Sequence, residues 1–285
     1  MYYGLILLAV AMFGGTFAMQ DVNRKLRGNN LRISLETSLI GSFAGLIVLL
    51  IINGVQLEFT VFTFLIALLS AVNSIAFTFC SFKALSSINL SLFSVFSMLG
   101  GMVLPFLQGI LFFNEEITVA KIACLVLIAL ALVLTISPEQ KRGGTLYYIG
   151  IFVLNGLSGV LAKLFASSSF EKTSAAGYSI WGAICTVLVS CLMLLLVVRK
   201  PADRNTYTVK ALGLSAGNGS VSQLANYFLV IALAHLDASV QYPMVTGGVM
   251  IVSTIICFFG KQKPNLKEIL SVVLAFSGML VLFIF

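Results

Sequence analysis

Residues 61–82 read VFTFLIALLSAVNSIAFTFCSF, without one charged side chain. A helix rises about 1.5 Å per residue, and about 20 apolar residues cross the roughly 30 Å hydrocarbon core of a bilayer. This run therefore predicts a membrane-spanning helix. It also has a second copy. Ser70-Ala71-Val72-Asn73 resembles Ser215-Ala216-Gly217-Asn218, and the Ala84-Leu85 that closes the first run is matched by Ala232-Leu233.

Working outward from this pair, apolar runs at 2–20, 33–52, 88–112, 118–136, 146–166, 175–198, 208–234, 238–259 and 266–285 fill nearly all the remaining chain. With 61–82 they make ten predicted spans in two sets of five. Five is odd, so a second copy of the unit enters the membrane from the opposite side, which is an inverted repeat. The expected fold is an all-α integral membrane protein. Its ten transmembrane helices form two inverted five-helix repeats, residues 1–140 and 141–285, around a central polar cavity. Further matches support the duplication: Tyr2-Tyr3-Gly4 against Tyr147-Tyr148-Ile149-Gly150, Gly14 and Gly15 against Gly156 and Gly159, and Gly100-Gly101 against Gly247-Gly248.

Composition agrees with a membrane protein. The 285 residues are 59% hydrophobic and 9% charged, with a mean hydropathy of +1.07, outside the range of soluble domains. The gaps are too short for a folded extramembrane module. The first run has no basic residue before it and reads as a retained span rather than a signal peptide. Cys80, Cys124, Cys185, Cys191 and Cys257 lie inside apolar runs without metal spacing and read as small packing residues. No cofactor or metal is expected, and no nucleotide loop is present.

The net charge of +7 reads as topology rather than nucleic-acid binding. Gaps 1, 3, 5, 7 and 9 hold Arg24, Lys25, Arg27, Arg32, Lys83, Lys141, Arg142, Arg199, Lys200, Arg204, Lys210, Lys261, Lys263 and Lys267, leaving only Lys121, Lys163 and Lys172 of the 17 basic residues for the other side. The positive-inside rule puts the odd gaps in the cytoplasm and both termini outside. The expected location is a bacterial cytoplasmic (inner) membrane, with the lipid bilayer and a small-molecule solute as partners and apolar faces available for a homodimer.

At these residues the chain resembles the EamA-like ten-span branch of the drug/metabolite transporter superfamily. Ala232-Leu233 leads to Ala238-Ser239 and Pro243, and Ala84-Leu85 leads to Ser91 and then Asn114-Glu115-Glu116-Ile117-Thr118. The first half lacks a proline at the position of Pro243, with Pro105 deeper in the span, and Lys261 stands where the family often has Glu. The resemblance implies a secondary transporter of small metabolites, amino acids or similar polar organic solutes, working in the export direction, and no enzyme.

Helical spacing points to the solute site independently of the resemblance. Residues three, four and seven apart share a face. Span 3 aligns Ser70, Asn73, Ser74, Phe77, Thr78 and Ser81. Span 4 aligns Ser91, Ser94, Ser97, Gly101, Pro105 and Gln108. Span 6 aligns Asn155, Ser158, Gly159 and Lys163, and span 8 aligns Ser215, Asn218, Ser222, Gln223 and Asn226, with Tyr227 beside them. Span 1 offers Met12, Phe13, Thr16 and Gln20. Serine and glycine stripes also serve helix packing, but an amide in hydrocarbon must find protein, water or solute. The candidate substrate-binding residues are Asn73, Phe77, Asn155, Lys163, Asn218, Gln223, Asn226 and Tyr227. Trp181 and Tyr242 read as aromatic walls or as interfacial anchors, and Lys163 as a contact for a solute anion or as a snorkelling cation. Span 5, almost without polar residues, belongs at the periphery. Glu36 and Asp237 are the carboxylates nearest to spans and are expected to be solvated.

Two other classes fit the sequence less well. Gly156-Leu157-Ser158-Gly159 spells the GxSG of rhomboid proteases, but His235 lies beyond the end of span 8. That is a depth mismatch of roughly 18 Å from Ser158 at 1.5 Å per residue, too far for a Ser–His pair. A non-transporting structural or assembly protein would not need amides on several helices.

Overall fold

The long apolar runs leave the backbone no polar partner but itself, so each closes into a helix. The computed structural model describes residues 2–113, 118–135, 145–196, 208–233, 235, 238–260 and 263–284. Among these there are ten helices and no strand: α1 Tyr2–Arg27, α2 Leu31–Ile52, α3 Val61–Leu85, α4 Leu90–Phe113, α5 Val119–Thr135, α6 Thr145–Ser167, α7 Ala175–Leu196, α8 Val209–Leu233, α9 Ala238–Phe258 and α10 Leu266–Ile284. Six of the helices (α1, α2, α3, α4 over Leu90–Gln108, α6 and α7) are long and apolar enough to cross a membrane, and Met244–Phe258 is a shorter apolar helix. This is consistent with a multi-pass helical membrane protein. Leucine, isoleucine and phenylalanine face outward along the helices, for example Leu7, Phe43, Leu69 and Leu188, an apolar surface that water would not tolerate.

Polar caps set the ends. Asn30 and Thr60 accept hydrogen bonds from the amides of Ile33 and Thr63 to start α2 and α3, as N-cap residues do. Asn265 and Glu268 form a reciprocal capping box at the start of α10, at 2.9 and 3.0 Å. α1 outruns its predicted end at residue 20. Asp21 pairs with Arg24 and Lys25 one turn on, which carries the helix out of the apolar run. Gly28, at φ +98°, then stops it, a backbone conformation that glycine adopts without steric cost.

The helices pack in a regular scheme: α1 on α8 and α9, α2 on α7 and α8, α3 on α6 and α7, α4 on α6 and α9, and α5 on α10. Exchanging α1–α5 with α6–α10 reproduces this scheme. The close crossings follow the same exchange. A Cβ on Gly14 (α1) would meet Val252 (α9) at 2.3 Å, and one on Gly248 (α9) would meet Val10 (α1) at 2.7 Å. On the other side, Gly156 (α6) faces Leu104 and the Gly100 carbonyl (α4), and Gly100 faces the Phe152 backbone (α6). The step from Val10 to Phe152 equals that from Gly14 to Gly156, and the step from Gly100 to Gly248 equals that from Leu104 to Val252.

Bonds between connecting segments also follow a pattern. Asn89, before α4, donates to Glu268 at the start of α10 (2.7 Å). Glu58, before α3, accepts from the Ser174 amide before α7 (2.5 Å). Tyr2 at the start of α1 stacks on His235 after α8, with ring centroids 4.1 Å apart. Asn114, Glu115, Glu116, Ile117, Asp237 and Lys261 lie outside the described residues, as do the side chains of Ala238, Ser239 and Pro243.

Candidate functional site

One cavity of about 330 Å³ lies among eight helices, α1–α4 from the first half and α6–α9 from the second. Among the described residues, neither α5 nor α10 contributes to it; α5 packs chiefly on α10. The wall mixes polar and apolar side chains. Thr16 and Gln20 come from α1, Thr37, Ser38 and Ser42 from α2, and Ser70, Ser74, Phe77 and Thr78 from α3. Asn155 and Ser158 come from α6, Tyr178, Ser179 and Thr186 from α7, Asn218, Ser222, Gln223 and Asn226 from α8, and Gln241, Tyr242 and Thr246 from α9. Among the described residues, no Asp, Glu, Lys, Arg or His lines it.

Of the residues predicted for the site, Phe77, Asn155, Asn218, Gln223 and Asn226 are together in this wall, while Asn73, Lys163 and Tyr227 are outside it. Asn73 spends its amide on α6, donating to the Leu154 carbonyl (2.9 Å) and to Ser158 Oγ (2.7 Å). It is a helix–helix link. Asn155 does both jobs: it lines the cavity and donates to the Ser97 carbonyl at 2.7 Å. Lys163 sits half-buried on α6 beyond Ala162, the last α6 residue of the wall. Tyr227 packs its ring on Phe228. Tyr242 is a cavity wall, its hydroxyl donating to the Gly159 carbonyl (3.3 Å). Trp181 is at the edge, donating from Nε1 to the Glu58 carbonyl (2.6 Å).

The serine stripe of α4 does not face the cavity. Ser91 bonds Thr254 across to α9 (3.0 Å), and Ser94 donates to the Ser91 carbonyl one turn back (2.7 Å). Gly100 and Gly101 bring α6 so close that this face is consumed by packing. Sequence reasoning missed the walls from α2 and α7. Thr37, Ser38, Gly41 and Ser42, and Ser179, Gly182 and Thr186, do recur at helical spacing. Hydroxyls and glycines at that spacing have an equally good packing reading, and no amide marks either helix.

Four of the lining residues carry a fully buried side-chain oxygen with no hydrogen-bond partner among the described residues: Gln20 Oε1, Ser38 Oγ, Asn218 Oδ1 and Gln241 Oε1. Gln241 is fixed in orientation, since its Nε2 donates to the Leu229 carbonyl at 2.8 Å. A buried acceptor left without a donor costs on the order of 1–3 kcal/mol.

A buried polar cluster meets the cavity at Thr37. Arg27, its side chain fully buried, pairs with Glu36. Arg32 Nε adds a second bond to Glu36 at 2.8 Å. Arg27 Nη1 reaches Thr37 Oγ1 (3.5 Å), and Asn23 donates to Thr37 (3.3 Å) and to Ser215 on α8 (2.9 Å). Glu36 is thus not solvated, as expected from its position, but neutralised between two guanidiniums. Further from this cluster, Ser158 and Asn226 in the same wall are exposed. Ser158 Oγ is bonded to Asn73 and to the Leu154 carbonyl, and His235 is occupied with Tyr2 and the Ile231 carbonyl.

These partners separate two kinds of amide. Asn73→Ala is expected to lower the stability of the detergent-purified protein by about 1–2 kcal/mol, because two interhelical bonds of about 1 kcal/mol each are lost. Asn218→Ala is not expected to lower the thermal midpoint, because its side chain makes no hydrogen bond among the described residues and the unpartnered buried oxygen is removed with it. A thermal-unfolding comparison of the two variants checks this.

No family model matches the chain, and no curated protein matches it. A solved structure described as "Crystal structure of protein" is similar over 97% of this chain and 97% of its own, with a TM-score of 0.61 and 15% sequence identity. Likeness at that identity shows a shared fold.

Proposed function

We propose that this chain is a secondary transporter, a ten-span inverted repeat that carries a small polar solute across the membrane by alternating access. The observation that carries the reading is the cavity itself. It lies between the two halves, four helices of each contribute to it, and amides and hydroxyls from both halves line it. Carriers built from inverted repeats bind at such an interface near the bilayer midplane. The exchange symmetry of the packing and of the glycine crossings supports the duplication. The bonds between connecting segments support the alternating topology, because odd gaps meet odd gaps and even gaps meet even ones. On the positive-inside rule we read the Arg27 cluster as cytoplasmic and both termini as outside, and export is what the family resemblance implies. The resemblance to EamA-like transporters belongs to the same reading.

A plug tests it. Gly182 lines the cavity, and a Cβ there would meet nothing within 4 Å. Gly182→Trp is expected to fill the cavity without disturbing helix packing. In proteoliposomes loaded with a broad metabolite mixture, the wild-type chain should release a solute, and Gly182→Trp should reduce that flux at least ten-fold with an unchanged thermal midpoint. Wild-type liposomes that release nothing above empty liposomes would sink the proposal.

A further inference from the structure

We infer that Asn73 and Asn218 are the two positions of one exchanging contact: each locks its helix pair in one state of the carrier and lines the cavity in the other. The inference rests on the carrier reading. It adds Thr16 as a positioning residue and gives Asn73 a place in the solute site of the opposite state.

The two asparagines hold equivalent places in the two halves. The step from Asn73 to Asn218 equals that from Ser70 to Ser215. On the helices they meet, the steps from Met12 to Leu154 and from Thr16 to Ser158 both equal that from Gly14 to Gly156. Met12 and Thr16 on α1 therefore correspond to Leu154 and Ser158 on α6, and α1 packs on α8 as α6 packs on α3. The chemistry matches too. Ser158 Oγ donates to the carbonyl of its own helix at Leu154 (3.2 Å) while accepting from Asn73 (2.7 Å). Thr16 Oγ1 likewise donates back along its helix, to the Phe13 carbonyl (2.8 Å), and a hydroxyl that donates once can still accept.

Only one of the two links is made. Asn73 Nδ2 bonds both groups on α6, the Leu154 carbonyl at 2.9 Å and Ser158 Oγ at 2.7 Å, and Asn73 is outside the cavity wall. Asn218 makes no hydrogen bond to Met12 or Thr16 and is in the wall, as Thr16 is. Two sequence-equivalent positions with the same side chain and the same available partners thus hold opposite arrangements. Inverted halves give this asymmetry a meaning. Each half can adopt the conformation the other now holds, and because the halves enter the membrane from opposite sides, that exchange produces a state facing the other way. In it, Asn218 donates to the Met12 carbonyl and Thr16 Oγ1 and fastens α8 to α1. Asn73 lets go of α6 and takes the place in the cavity wall that Asn218 has now. The solute then meets an asparagine in both states, from α8 in one and from α3 in the other.

Gly182→Cys supplies the readout, because residue 182 lines the cavity and an added carbon there meets nothing within 4 Å. The full chain carrying it is placed in proteoliposomes of uniform orientation. A membrane-impermeant maleimide is added outside or enclosed inside, and labelling is read by mass spectrometry on the peptide that holds residue 182. Asn73→Ala breaks the link of the present state and should move the inside-to-outside labelling ratio at least five-fold in one direction. Ser158→Ala keeps the Leu154 bond and should move it less, in the same direction. Asn218→Ala and Thr16→Val break the link of the other state and should each move it at least five-fold the opposite way. Asn73→Ala combined with Asn218→Ala should return the ratio to within two-fold of the parent, a rescue that loss of packing alone would not give. Shifts in one common direction, or none, while the native chain transports a solute from the metabolite mixture overturn the inference and leave the carrier standing. Opposed shifts without flux of any solute keep the exchange of the two links and overturn the carrier. Labelling from one face only in every variant, with no flux, overturns both.

Discussion

Gly100→Leu is expected to leave almost no folded, monodisperse protein in a detergent extract, read by size-exclusion chromatography of a fluorescent fusion. A Cβ at this position would sit 1.9 Å from the Phe152 carbonyl oxygen and 2.5 Å from its carbon. Both atoms are backbone of α6, so no rotamer change can relieve the clash. The facing residue offers no slack either, since Gly156 already lies against the Gly100 carbonyl, its own Cβ position only 2.5 Å away. The helices must separate, and overpacking against rigid neighbours costs upward of about 3 kcal/mol, with the loss of dispersion contacts along the seam added. Two comparisons make the result specific. Gly14→Leu at the equivalent α1–α9 crossing meets the Val252 side chain rather than backbone, so its loss should be smaller. Gly217→Ala on α8, with nothing within 4 Å of the added carbon, should behave as wild type.

The uneven legibility of the chain follows from the same physics. Helix positions were readable because in hydrocarbon an apolar run has no alternative to a helix, and nine of the ten predicted spans end within a few residues of the observed helices. α1 is the exception. It overran because side-chain ion pairs, not hydropathy, carried it to Arg27. That overrun also hid the environment of Glu36, which looked solvated only while α1 was taken to stop short of its guanidinium partner. The amide stripe of α8 announced the cavity, because Asn218, Gln223 and Asn226 share one face of a single helix. Asn73 lies on an equally polar face, yet its partners are on α6, 81 and 85 residues away. No one-dimensional pattern distinguishes an amide aimed at a neighbouring helix from one aimed at a cavity. The hydroxyls of α2, α4 and α7 are alike in sequence. Only the glycine-driven approach of α6 to α4 decides that the serines of α4 are packed while those of α2 and α7 line the cavity.

Among the described residues, Glu36→Gln is expected to be the most destabilising single charge change, by about 3–5 kcal/mol, the usual effect of removing one partner of a buried pair. The reason lies in the asymmetry of the cluster. Arg27 has a side-chain exposure of 0%, so its guanidinium cannot recover the lost interaction from water, whereas Arg32, the second partner of Glu36, is 29% exposed. Removing the cation instead, in Arg27→Met, leaves Glu36 at 9% exposure but still bonded to Arg32, and its cost should be smaller. The double variant Arg27→Met with Glu36→Gln removes both the buried charge and its partner. It should be more stable than Glu36→Gln alone, because what is then lost is a polar interaction rather than a charge left in a dry site. Thermal or denaturant unfolding of the three variants closes a double-mutant cycle. A surface-like pair would give differences within about 1 kcal/mol throughout, and a larger loss for Arg27→Met than for Glu36→Gln would reverse the assignment of which charge depends on the other. The same cycle bears on transport. Arg27 also donates to Thr37, and Asn23 ties Thr37 to Ser215 on α8, so the cluster joins α1, α2 and α8 beside the cavity. On the carrier reading proposed above, opening the cavity at this point would separate these helices and break the bonds together, so a variant that weakens them should shift the protein toward the state open on the Arg27 side.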